Sequence, residues 1–132
     1  MALDQTRANE ILTWMHGGAA TTALTGPIRV RLMTANGTAS ANGTEVATGG
    51  GYTAAAGAPT VTYAAAAAGS QATNAVVNVT NYPRVETVVG IEIWDSTGTP
   101  KRVEWGALAA SKTMAIGDTL SFASGAITSA LA

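Results

Sequence analysis

The stretch that decides the fold is Glu86-Thr87-Val88-Val89-Gly90-Ile91-Glu92-Ile93-Trp94, with Lys101-Arg102-Val103-Glu104-Trp105-Gly106-Ala107-Leu108 following it across the turn Asp95 to Pro100. Apolar residues alternate with polar ones in both halves, so successive side chains fall on opposite faces, the period of a β-strand. In the first half Val89, Ile91 and Ile93 share one face, and Glu86, Val88, Glu92 and Trp94 the other. In the second, Val103, Trp105 and Ala107 oppose Arg102, Glu104 and Leu108. Asp95-Ser96-Thr97-Gly98-Thr99-Pro100 carries turn chemistry, which makes the two runs a hairpin. Across it Glu92 and Arg102 are placed to form a cross-strand pair, worth about 0.2 to 1 kcal/mol on an exposed sheet face.

The same period continues on either side. Pro27 opens a strand with Ile28, Val30 and Leu32 on one face and Arg29, Arg31 and Met33 on the other. Thr60 to Tyr63, Ala75 to Thr80 (Val77 and Val79 together), Thr113 to Ile116 and Thr119 to Ala123 read as further strands, with Gly117-Asp118 as a turn. Ala126 to Leu131 closes the series with Ile127 and Leu131 inward, and the alanine-rich Ala64 to Asn74 reads as an extended or loop connection. Only the start breaks the period. Ala8, Ile11, Leu12 and Met15 repeat at helical spacing, Asp4 is placed to cap them, and Gly17-Gly18 ends the helix. The expectation is a mainly β fold, a jelly-roll-like β-sandwich of about seven or eight short strands preceded by one N-terminal helix. It occupies a single domain, 1–132, with the helix in 1–18, the sandwich in 26–132 and a long glycine-rich loop at 34–57. A loop of that length is either functional or mobile.

Composition narrows the function. Of 132 residues, 11% are charged and the formal net charge is −1, which leaves no basic excess for a phosphate backbone and predicts no nucleic-acid partner. With no Cys and one His, a zinc site built on thiolate or imidazole and any thiol chemistry are excluded, and no cofactor is expected. No apolar run reaches the roughly 20 residues of a bilayer span, and Met1 to Glu10 lacks the pattern of a secretory leader, so the expectation is synthesis in a cytoplasm and no membrane partner. A surface built from Ala, Thr, Ser, Gly and Asn resists association poorly, so copies of itself or a larger assembly are the expected partners.

Catalysis finds little support among the titratable residues. His16 falls at the helix end, where it serves the carbonyl terminus. Glu86 and Glu92 stand about 20 Å apart along one strand, too far to act as a pair. Glu92 and Glu104 approach across the hairpin, with Arg102 beside them as in a charge ladder. The expectation is therefore no enzyme activity. Trp14, on the shoulder of the helical stripe, either closes the edge of the core or docks on a neighbouring protein. Arg29 and Arg31 either lie on a solvated face or meet a carboxylate or phosphate of another subunit.

Gly43-Thr44-Glu45-Val46, Gly49-Gly50-Gly51-Tyr52, Ile93-Trp94-Asp95, Trp105-Gly106-Ala107-Leu108 and Gly117-Asp118-Thr119-Leu120-Ser121-Phe122 occur in an order that resembles a family of small tailed-bacteriophage virion proteins. Members are labelled tail-fibre-like, and some resemble capsid decoration, or cement, proteins. The resemblance implies a β-sandwich virion component without catalysis and carries over no active-site residue. It also implies a homotrimer. The candidate contact residues of the chain are Trp14, Arg29, Arg31, Glu45 and Tyr52. Two roles follow. The first is a decoration subunit on the capsid surface, bound to the major capsid protein. The second is a tail-fibre or baseplate module with a host surface glycan as partner. Few aromatics (5%) and no heptads or long repeats of a fibre shaft place decoration first.

Overall fold

The computed structural model describes residues 1–131, and in them the alternating pattern becomes ten strands and one α-helix: β1 (Ala2–Leu3), α1 (Gln5–Met15), β2 (Ile28–Ala35), β3 (Thr44–Glu45), β4 (Thr60–Val61), β5 (Ser70–Ala72), β6 (Val77–Val79), β7 (Glu86–Trp94), β8 (Arg102–Met114), β9 (Leu120–Phe122) and β10 (Thr128–Ala130). The hairpin β7–β8 lies at the middle of a six-stranded antiparallel sheet ordered β1-β8-β7-β2-β3, with β4 also on β2. Two antiparallel ribbons, β5–β10 and β6–β9, form the other layer. One apolar core lies between them, built from Val30, Leu32, Val88, Ile91, Ile93 and Met114 of the sheet against Val77, Val79, Leu120 and Ile127. The fold is mainly β and sandwich-like, as the pattern predicts, and the strand ahead of the helix is an addition to that pattern.

Several local expectations need correction. Val88 enters the core while Val89 stays half-buried, because the β7–β8 register slips between Val88 and Gly90 and reverses the alternation there. A second slip, between Ile93 and Trp94, sets Glu104 opposite Ile93 and Arg102 opposite Trp94, so Glu104 and Glu92 occupy opposite faces. The alanine-rich connection contains β5, paired with the C-terminal β10. That ribbon buries Ile127 but leaves Leu131, expected inward, 63% exposed. The loop at 34–57 is pinned to its own chain. β3 pairs with β2, Thr38 with Ala41 and Gly49 with Tyr52, and a Cβ on Gly51 would collide with the Thr80 carbonyl.

The helix is capped as expected: the Asp4 carboxylate accepts from the Thr6 amide at 2.9 Å, and Gly17 takes φ +82 just beyond the end. Its apolar stripe, however, is not the face it buries. Arg7 is the one helical residue that is buried, while Leu12 and Met15 are exposed. The N-cap and first turn are held by Asp4 to Arg102 of β8 and by Arg7 to Asp95 just past β7, and the last turn is exposed.

Candidate functional site

The outer face of the sheet carries a charge network. Arg102, 4% exposed, donates through Nη1 to Glu92 Oε1 at 2.9 Å and to the Ala41 carbonyl at 2.7 Å. Through Nη2 it reaches Asp4 Oδ2 at 2.8 Å and the carbonyls of Thr38 and Ala39 at 2.6 and 3.1 Å. Asp4 thus caps the helix with one oxygen and binds Arg102 with the other. Glu92 also accepts from Trp94 Nε1 at 3.0 Å and from the Gly43 amide at 2.7 Å. Arg7 adds Glu10 at 2.7 Å and Asp95 at 3.7 Å. The predicted Glu92–Arg102 pair is therefore present but buried, at the centre of a network joining the N-terminal segment, the 34–45 loop and the hairpin.

Four of the five candidate contact residues are engaged within the chain. Arg31 lies 4.0 Å over the Trp94 ring and 3.5 Å from Glu45, and Arg29 donates to the Ala58 carbonyl at 2.6 Å. Both arginines are half-buried, which corrects the solvated-face reading, and the carboxylate that Arg31 meets belongs to its own chain. Glu45 accepts from the Tyr52 hydroxyl at 2.8 Å and the Ala55 amide at 2.9 Å. Tyr52 is fully buried, so it is a core residue and not a surface contact. Its hydroxyl also accepts from the Leu32 amide at 3.1 Å, and burial pushes its pKa well above the ordinary tyrosine value.

Trp14 is the exception. It is 56% exposed, between Leu12 at 54% and Met15 at 65%, so it does not close the edge of the core. Leu12 and Met15 sit side by side at i, i+3 with Trp14 round the helix from them, so together they make the exposed end of the helix an apolar knob. The helical spacing puts Leu12 and Met15 on one stripe with Ala8 and Ile11, but period alone does not say how far a helix overlaps its sheet. At the same end, His16 Nδ1 donates to the Leu12 carbonyl at 2.8 Å, the helix-terminal role expected of it.

A second feature was not legible in the sequence. Between the sheet and the β5–β10 ribbon lies a cleft of about 710 Å³ with Pro27, Ile28, Val61, Ile93 and Val103 among its walls and Glu104 set into it. Glu104 Oε2 accepts from the Ser129 hydroxyl, and burial raises the Glu104 pKa above the ordinary carboxylate value, partly offset by that bond and by the Met1 ammonium. Tyr63, also on the cleft, is pushed up to about 12, first by burial and then by the charge of Glu104. Among the described residues no three His, Asp or Glu side chains are grouped to hold a metal ion, and no helix is long and apolar enough to cross a membrane.

The fold is thus sandwich-like, most of its charged groups pair within the chain, and Leu12, Trp14 and Met15 are left outside. Residues 2–130 match the family described as podophage GP4 fiber I protein gp80, nearly the whole chain, and the protein belongs to that family. It is a bacteriophage structural protein of the virion. Among curated proteins, none matches the chain.

Proposed function

We propose that the protein is a non-enzymatic subunit of the fibre apparatus of the virion, seated on a neighbouring virion protein by the apolar knob of its N-terminal helix. The observation that carries this reading is the exposure of Leu12, Trp14 and Met15 on one turn. An exposed Trp flanked by aliphatic side chains fits the usual anchor of an interface, where truncating a central residue costs about 2 kcal/mol or more. The family description supports the fibre over other virion positions. Capsid decoration, bound to the major capsid protein, is the second reading; the weakly charged surface favours it, since lattice subunits meet neighbours on several sides. Self-association, as a trimer, fits either.

Deleting the helix is a poor test, because Asp4 and Arg7 hold Arg102 and Asp95. The informative variant is Leu12→Ser/Trp14→Ala/Met15→Ser, which leaves those contacts alone. It should fold and fail to incorporate into particles. Full incorporation of the folded variant would overturn the docking reading. Copy number separates the two positions: a few to a dozen per particle for the fibre, hundreds for the capsid.

A further inference from the structure

Among the described residues, six of the eight acidic side chains come with their own cations, and of the two that do not only Glu104 is buried. Among the described residues, Asp4 and Glu92 share Arg102, Glu10 and Asp95 share Arg7, Glu45 pairs with Arg31 and Glu86 with Arg84. Asp118 is exposed, and its Oδ2 accepts from the Ala115 amide. Glu104 is 6% exposed and makes no ion pair among the described residues. Oε2 receives the Ser129 hydroxyl, and among the described residues none donates to Oε1. The Met1 ammonium acts on it only through space and donates instead to the Thr128 carbonyl at 3.2 Å. A lone carboxylate in an apolar wall is costly to ionise, and an opposite charge brought to it recovers that cost.

We propose that the cleft beside Glu104 is a binding site for a primary alkylammonium group, the ammonium pairing with Glu104 and the alkyl stem lying along Ile28, Val61, Ile93 and Val103. The volume of about 710 Å³ is within the range of small-ligand sites, and the walls named are aliphatic, which suits a methylene stem. One carboxylate oxygen is already occupied by Ser129. That leaves a single acceptor, which matches the point charge of an ammonium better than the two-pronged fork of a guanidinium. One carboxylate without a second acidic ligand also fits an ammonium better than a divalent cation. The chemistry is common to a free amine and to the lysine side chain of a protein neighbour. It does not depend on which virion position the protein occupies.

The test titrates the isotope-labelled full chain by NMR with n-butylammonium, with Nα-acetyl-lysine methylamide and with neutral 1-butanol. Saturable shifts centred on Glu104, Tyr63 and Val103 are expected with the cations, at least tenfold tighter than any with butanol and lost in Glu104→Gln. If the blocked lysine binds as tightly as butylammonium, the mouth admits a side chain carried on a backbone; if only butylammonium binds, the site is one for free amines. Butanol binding equal to butylammonium, undiminished binding in a folded Glu104→Gln, or no saturable shift with either cation would overturn the proposal. The comparison of cation with alcohol uses the wild-type chain, so it decides the matter even if the variant fails to fold. The knob variant tests the docking reading separately, because Leu12, Trp14 and Met15 do not line this cleft.

Discussion

Replacing Arg102 with Met keeps most of the side-chain volume and removes all of the charge. Two carboxylates, Asp4 and Glu92, lose their cation, and the carbonyls of Thr38, Ala39 and Ala41 each lose one donor while keeping the amides of Ala41, Gln5 and Thr38. Glu92 is the costlier loss, since it is 1% exposed and keeps only Trp94 Nε1 and the Gly43 amide. Breaking a buried pair by removing one partner costs about 3–5 kcal/mol, against a total stability of about 5–15 kcal/mol. The exposed-pair figure suggested by the sequence, under about 1 kcal/mol, is the competing value. Equilibrium urea denaturation separates them. With a slope of about 2 kcal/mol/M, the buried network predicts a midpoint lowered by about 2 M, the surface pair by less than about 0.5 M. Arg102→Lys should recover little, because one ammonium cannot serve five acceptors spread over a strand, the helix cap and a loop. A fall below about 1 kcal/mol for Arg102→Met, with an unchanged slope, would refute the role given to the network.

Three further outcomes follow from the same contacts. Tyr52→Phe strips the acceptor from the buried Leu32 amide and a donor from Glu45, and should cost about 1–3 kcal/mol in the same denaturation assay. Gly51→Ala should destabilise by about 1–3 kcal/mol through its collision with the Thr80 carbonyl, while Gly98→Ala, with nothing within 4 Å of the added methyl, should leave the midpoint nearly unchanged. Glu104 titrates higher folded than unfolded, so its contribution is fully present below the ordinary carboxylate pKa and is lost as pH rises through the raised folded value. Glu104→Gln removes that dependence. Its stability relative to wild type, measured by denaturation across pH 4 to 8, should therefore improve as the pH rises; a flat difference would refute the raised pKa.

The alternation of Ile28 to Leu32, the Asp95–Pro100 turn, the Asp4 cap and the Gly17 stop were all legible in the sequence, because each depends on backbone and side-chain geometry within a few residues. So was the presence of a Glu92–Arg102 pair, since a hairpin fixes its own register to within a residue or two. What the sequence left undetermined is non-local. β9 pairs with β6 and β10 with β5 across more than forty residues of chain, and neither pairing leaves a mark on the local pattern. The slips at Val88 and Ile93 reversed the faces that strict alternation assigns, moving Val88 into the core and Glu104 to the cleft. The helix shows the same division. Its period fixed where it starts and stops, but the polar contacts of Asp4 and Arg7 decided how much of it meets the sheet, and so left Leu12, Trp14 and Met15 in water. Periodicity states which side chains share a face; only the packed chain decides whether that face is covered, because burial depends on partners that arrive from elsewhere in the sequence.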